Sequence, residues 1–352
     1  MYLTKHRSRR HRWRGARRNP FCIISVTIDP IPNPPPHTRK PLVWLVIGIG
    51  DIARKRVIPA ILAEPRSTLY GAVTRDPQNA AAYPGIRVWA ALDDALRDAA
   101  IDAVYVASPV ALHAPHVIAS FLAGKHVLCE KPVAMNYCEA QSMVAAALET
   151  RRLFGVAYYR RLFPKLIRAK QLIAGGAIGQ PVLAEANCHG WLNHAGRGWL
   201  VDPAMAGGGP LYDTGSHRID AINFLFGRPV KATGLLSNVV QRVAVEDSAT
   251  ALVDYANLAR GIVDVRWNSR VPRDQFRVIG TEGEIDLDPL NGPALRYSGK
   301  EEQLPTHANV HYPAVENFVS AALDGTPLAC TGEDAIWTDW VTSEIVRQAA
   351  RA

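Results

Sequence analysis

Two hydrophobic rhythms divide this chain. Between Leu42 and Ala157, short and nearly unbroken apolar runs alternate with longer amphipathic stretches. The runs 42–47, 68–73, 86–89, 103–107, 127–130 and 153–157 predict strands. Their lack of polar alternation predicts burial on both faces, as in a parallel sheet. The intervening segments predict helices, from the turn after Gly48 to about Ala63, then over 92–97, 113–123 and 136–150. Gly124 suits the end of the third and Asn136 the cap of the fourth, while Pro59 should bend the first or start a new turn. Strands alternating with helices predict an α/β doubly wound sheet.

Beyond residue 160 the rhythm changes. A helix over 164–174 is followed by strands at 181–187, 230–239, 249–255, 259–267, 276–280 and 285–287, separated by turn residues. This predicts an α+β half with a largely antiparallel sheet. A further helix runs from Pro210, a residue suited to a first helical position, to Gly227 and Pro229. A sheet covered by helices on one face only leaves the other for a partner subunit, so a homo-dimer or homo-tetramer is expected. The expected divisions are residues 1–41, 42–160 and 161–352.

Charge changes the picture at one end. The chain carries a formal +8, but residues 1–41 hold ten Lys or Arg and one acid, a net of +9, so the rest carries −1. The body therefore offers no basic surplus for nucleic acid. Residues 5–18 cannot bury a core, and 30–36 form a stiff proline-rich linker, so 1–41 reads as a disordered, dispensable extension, consistent with a mis-set start. Ser8-Arg9-Arg10 before an apolar run loosely resembles a twin-arginine export signal, but arginines continue to Arg18 and no small-residue cleavage site follows. An acidic-surface or nucleic-acid tail is the other alternative. The five cysteines are odd in number and scattered, without C-x-x-C, which suits free thiols in a reducing cytoplasm. No apolar run is long enough to cross a bilayer.

Three stretches carry candidate chemistry. Gly48-Ile49-Gly50-Asp51-Ile52-Ala53 lies between a strand and a helix. Its glycines permit a tight turn and close backbone approach, and the helix start offers N–H groups to a pyrophosphate. Past the second strand, Thr74 stands where an acid would hold the ribose of NAD, and Arg75 can pair with a 2′-phosphate. Arg54 and Lys55 add positive charge, so NADP is preferred over NAD, with Asp76 the residue that argues otherwise. His126 to Pro132 is a strand that must end at its proline, which puts Lys131 at the carboxyl edge of the sheet, where ligands bind and a lysine can shuttle protons. In Gly207 to Asp220, Asp213, His217 and Asp220 fall at i, i+4 and i+7 on one helical face, and a histidine one turn from a carboxylate is a tunable acid–base group. His189 and His194 lie upstream, but their spacing matches no metal site.

These residues resemble one family, the glucose–fructose oxidoreductase, inositol dehydrogenase and rhizopine-catabolism proteins (Gfo/Idh/MocA). The resemblance runs from Leu42 to the end. It rests on the glycine turn, Ser108-Pro109 with Leu112-His113, Glu130-Lys131-Pro132, Tyr159-Arg160-Arg161, and Trp199 before Asp202-Pro203. It continues through Asp213-x-Gly215-x-His217-x-x-Asp220, residues 278–283, and Asn317-Phe318 in a late helix. It implies a two-domain oxidoreductase passing a hydride between a nicotinamide cofactor and a sugar, cyclitol or related polyol. Lys131, Asp213 and His217 are then catalytic, with a cis Lys131–Pro132 bond. Ser108, Pro109, His113 and Glu130 join Gly48 to Ala53, Thr74, Arg75 and Lys131 on the cofactor side. Tyr159, Arg160, Trp191, Asn193 and Trp199 are candidates to line the sugar pocket with His217. Val110 stands where an asparagine is common. Two other outcomes suit the same resemblance: a glycosidase that oxidises its sugar transiently and keeps its cofactor, and a sensor that binds the dinucleotide without chemistry. A sensor would be expected to have lost Lys131, Asp213 and His217.

Overall fold

The computed structural model describes residues 40–350. The extension expected over 1–41 lies, but for Lys40 and Pro41, outside the described residues.

Six parallel strands form the first sheet: β1 (Leu42–Ile47), β2 (Ser67–Val73), β3 (Arg87–Trp89), β4 (Ala103–Val106), β5 (His126–Cys129) and β6 (Phe154–Val156), in the order β3-β2-β1-β4-β5-β6. β1 pairs with β2 on one side and β4 on the other, so the chain reverses direction across the sheet beside β1. Ligands of such sheets bind in the crevice at that reversal, beyond the carboxyl ends of the strands. All of β1 but Val43 is buried, as its apolar run predicts. The helices are α1 (Ile58–Ala63), α2 (Leu92–Leu96), α3 (His113–Leu122) and α4 (Tyr137–Thr150). A wide π-helical turn over Ala53–Val57 precedes α1, and Pro59 lies in the first turn of α1. Proline has no N–H to give the preceding turn, and the wider winding accommodates that loss. Gly124 follows α3 at φ +76°, and Asn136 caps α4 by accepting from Glu139 N at 3.0 Å.

The second half begins with α5 (Pro164–Ala174). β7 (Pro181–Trp191), α6 (Pro203–Ala206) and α7 (Ser216–Phe226) follow. Then come β8 (Pro229–Ser237), β9 (Ser248–Tyr255), β10 (Arg260–Arg266), β11 (Asn268–Gly280), β12 (Glu284–Asp286), β13 (Ala294–Tyr297) and β14 (Lys300–Gln303). The eight strands order as β14-β13-β12-β11-β7-β10-β9-β8, and only β7 and β10 run parallel. Ala184, Ala186, Val263, Val265, Phe276 and Val278 turn inward onto a core shared with Leu166 of α5 and Ile219 and Ile222 of α7. The opposite face carries Leu183, Ile262, Leu252 and Leu235, none of them buried.

The strand readings fall short in one region. β7 continues to Trp191 and β11 begins at Asn268, because Arg273 pairs with His189 and Asn268 with Trp191 in a polar extension of the ladder. Side chains there are polar on both faces, so no alternation marks the strand. The charged edge strand β14 escapes notice for the same reason.

The last helices, α8 (Tyr312–Asp324) and α9 (Gly332–Ala349), return to the first sheet. Val315, Phe318 and Val319 of α8 pack with Trp44 and Ile58, and Ala335 and Ile336 of α9 with Val127 and Phe154. Farther along α9, Val341 and Ile345 enter the core of the second half, so this helix spans the seam between the two halves.

Candidate active site

Lys131 follows directly on β5 and is joined to Pro132 by a cis peptide bond. Its Nζ donates to Asp213 Oδ1 at 2.8 Å and to the Asp213 carbonyl at 3.3 Å. That ion pair crosses the seam. Asp213 lies in a π-helical turn, Leu211–Gly215, that leads into α7. The approach to this turn explains the glycine run. A Cβ on Gly209 would overlap the Glu246 carbonyl, and one on Gly207 or Gly208 would strike the Tyr212 ring. Glu246 then accepts from Gly209 N at 2.8 Å and Leu211 N at 3.1 Å, satisfying donors at the helix start. Burial resists charge on Asp213, but the Lys131 ammonium outweighs it and holds the carboxyl below the ordinary range.

His217 lies one turn further, 5% exposed. Its ring meets Tyr159 edge-on at 5.0 Å and Tyr158 at 5.8 Å. Nδ1 is buried without a partner. Burial, then the charges of Arg160 and Lys131, press its pKa well below the usual histidine value. Asp213, His217 and Asp220, spaced i, i+4 and i+7, have different partners. Asp213 bonds Lys131 and not His217, and Asp220 is buried against Arg161, which donates to it at 2.7 Å.

On the cofactor side, Gly48 has φ +88°, and a Cβ there would stand 2.9 Å from the Ala107 carbonyl. A Cβ on Gly50 would enter open space before the helical run 51–63. This cradle fits a dinucleotide diphosphate. Asp51 and Ile52 are exposed beside it, while Ala53 is buried. Arg54 and Lys55 are not bare charge, because both bind Asp51, at 2.9 and 3.1 Å. Thr74 bonds the Asp76 backbone, and the Asp76 side chain caps the next turn through Gln78 N at 3.0 Å. Arg75 is exposed and has no ion pair among the described residues.

Two residues expected at the cofactor are turned into the protein. His113, 1% exposed, bridges the Ser108 carbonyl at 2.9 Å and the Pro132 carbonyl at 3.0 Å. Glu130 is buried and accepts from Tyr105 at 2.8 Å and His311 at 3.1 Å. Both therefore bear on the cleft through the loops they tie. Ser108 Oγ bonds His116, Pro109 is half-buried, and Val110, the departure from the family pattern, is buried.

On the substrate side, Tyr159 lies between His217 and His311, and its hydroxyl accepts from Arg160 at 3.0 Å. Arg160 also donates to Asn291 at 2.9 Å. Trp191, Asn193 and Trp199 are exposed on the β7 end and the following loop, with no bond or ring contact to Lys131 or His217. One face of Trp191 is covered by Arg270 at 3.9 Å. The loop reaches the first half at α6, which packs on the 110–112 turn. Sequence reasoning missed His311, Glu246, Asn291 and Asp339. The last accepts from Ala134 N at 3.1 Å just past Pro132, with burial pushing its carboxyl up to about 8. For Glu246 and Asp339 the only signal available was a charged residue in an otherwise apolar or helical stretch.

A parallel sheet with a glycine cradle, a lysine at its carboxyl edge and a histidine on a helix that packs against a second, open-faced sheet define a two-domain nicotinamide-dependent oxidoreductase. The comparisons narrow this class. Residues 42–158 match the oxidoreductase family with NAD-binding Rossmann fold, and 166–286 match the GFO/IDH/MocA C-terminal domain. The chain belongs to the Gfo/Idh/MocA oxidoreductase family. It is 30% identical over 320 residues to 1,5-anhydro-D-fructose reductase of Ensifer adhaerens, covering 87% of this chain and 96% of that protein. It is 27% identical over 269 residues to the D-xylose 1-dehydrogenase [NADP(+)] of Haloarcula marismortui, covering 73% and 74%. The crystal structure of aldose-aldose oxidoreductase from Caulobacter crescentus superposes with a TM-score of 0.80 at 25% identity, over 88% of this chain and 98% of that one.

Proposed function

We propose that this oxidoreductase prefers NADP and interconverts a carbinol and a carbonyl on a sugar, cyclitol or related polyol, with Lys131, His217 and Asp213 at the reacting carbon. The observation that carries the reading is the Lys131–Asp213 pair across the seam, with His217 in the same cluster. The bound nicotinamide supplies the hydride acceptor or donor. In oxidation the carbinol loses its C–H bond as hydride and its O–H proton to His217. Nδ1 is buried, so Nε2 is the nitrogen left to face substrate. Burial and neighbouring cations keep the ring neutral, the state a base requires. Lys131 donates a hydrogen bond to the reacting oxygen, and Asp213 holds the Lys131 ammonium in place. In reduction the same groups act in reverse.

The unpaired Arg75, with Thr74 in place of an acid and Asp76 engaged as a cap, supports NADP over NAD. So does the NADP specificity in the name of the xylose dehydrogenase, while its sugar and that of the anhydrofructose reductase support the substrate class. The exposed face with Leu183, Ile262, Leu252 and Leu235 supports a homo-dimer or tetramer, and the free thiols of Cys129, Cys138, Cys188 and Cys330 support a cytoplasmic setting. The test is a reduced-nicotinamide absorbance screen, NAD against NADP, over sugars, cyclitols and their keto forms, repeated with His217→Ala. Removing this base is expected to slow the chemical step on the order of a hundredfold to ten-thousandfold with cofactor affinity little changed. Near-normal turnover by His217→Ala would sink the assignment.

A further inference from the structure

Charge in the cleft does not balance. Lys131 has Asp213 at 2.8 Å, Arg218 has Asp274 at 2.6 Å, Arg161 has Asp220 at 2.7 Å, and His311 has Glu130 at 3.1 Å. Among the described residues, Arg160 has no carboxylate within ion-pair distance. It is 7% exposed, its two terminal nitrogens go to the neutral oxygens of Tyr159 and Asn291, and its Nε is buried without a partner. Asp274 is near enough to act on Arg160 electrostatically, but its oxygens are taken by Arg218 and by Asn291, the latter at 2.8 Å. A second cation is also unmatched. Arg197, exposed on the loop between Trp191 and Trp199, donates to the Asn193 carbonyl and has no ion pair among the described residues. The fields of Arg197 and Arg160 both reach Asp213. A buried guanidinium without a counter-charge is costly, and its planar fork suits a carboxylate.

We propose that Arg160 and Arg197 together receive a carboxylate on the substrate, so that the preferred substrates are sugar acids rather than neutral polyols. This rests on the reading above that the cleft oxidises or reduces a carbinol carbon. In that arrangement the reacting oxygen meets Lys131 and His217, and the acid group lies toward Arg160 and Arg197.

The experiment compares kcat/KM of the full-length, cofactor-saturated enzyme on matched pairs: D-glucose with D-glucuronate, and D-galactose with D-galacturonate. Charge-assisted bonds predict about a tenfold or greater preference for the acids. Arg160→Gln and Arg197→Gln should each lower the acid-to-neutral ratio, and a general loss of activity cancels in that ratio. Arg197 is exposed, so its variant serves if Arg160→Gln does not fold. A wild-type ratio at or below one, with neutral sugars turned over, overturns the acid site and leaves the oxidoreductase reading standing. Absence of turnover on every pair with either cofactor counts against that reading. Calorimetry of the cofactor-loaded protein with D-gluconate and with sorbitol then decides the site: tighter gluconate supports it, and equal affinity overturns it.

Discussion

Asp220→Asn tests whether Asp220 holds the fold or joins the chemistry. The Arg161 and Asp220 side chains are 6% and 1% exposed. Three N–H···O contacts join them, two at 3.1 Å and one at 2.7 Å, and the Arg161 guanidinium opposes the burial that raises the Asp220 carboxyl. Removing one partner from such a pair costs about 3–5 kcal/mol, because the other charge stays buried. Asp334 stands 3.7 Å from Arg161 and remains in the variant, but it is 59% exposed, so it returns roughly 0–1 kcal/mol. The lower end, about 3 kcal/mol, is expected. At about 2.1 cal/mol/K of unfolding entropy per residue, that lowers the melting temperature by roughly 4–5 °C in a chain of this size. The double variant Arg161→Met/Asp220→Leu, which removes both charges, should be less destabilised than Asp220→Asn alone. Thermal melts followed by circular dichroism measure the first effect, and initial rates well below the melt measure kcat, which should stay within about an order of magnitude of wild type. An unchanged melting temperature with kcat reduced as far as in His217→Ala would refute this assignment and give Asp220 a part in the chemistry.

Arg75→Ala should weaken NADP binding more than NAD binding, read by fluorescence titration with both cofactors. Tighter NAD binding in the wild type, with neither affinity moved by the substitution, would contradict the ribose-end argument. The pH profile bears on His217. Its folded pKa lies below the ordinary value of about 6.5, so the neutral ring favours the fold. That contribution is full above about 6.5 and is lost as pH falls toward the folded value. The acid limb of kcat/KM should accordingly lie below about 6.5 and rise in Arg160→Gln, where one of the depressing charges is gone. An acid limb at or above the ordinary histidine value in wild type would show that another group carries it.

Much of the first half is legible because its signals are local. An apolar run such as 42–47, a helix cap such as Asn136 and a glycine stop such as Gly124 each depend on a few neighbouring residues. Lys131 is legible because Pro132 ends its strand. The misreadings arise where partners are distant. His311 meets Glu130 across 181 positions, and Asp339 meets Ala134 across 205. No periodicity announces a buried polar side chain whose partner lies so far away. The i, i+4, i+7 spacing of Asp213, His217 and Asp220 could not show that their partners differ, because Lys131 lies 82 positions from Asp213 and Arg161 lies 59 from Asp220.

The distant partners share one destination. Tyr105 of β4 and His311, at the start of α8, both bond Glu130, the residue before Lys131. His113 of α3 bonds the Pro132 carbonyl, and Asp339 of α9 accepts from Ala134 N. Lys131 is thus bracketed on both sides by buried bonds drawn from four elements, two of them from the end of the chain. A lysine side chain is long and flexible, and holding it costs rotamer entropy at each turnover unless its backbone is already fixed. The return of α8 and α9 to the first sheet supplies that fixing. Asp213, carried in by the turn before α7, then has only the ammonium end left to orient. The placement of Lys131 therefore depends on residues more than a hundred positions away, and substitutions at His311 or Asp339 bear on the cleft although neither residue bonds the Lys131 side chain.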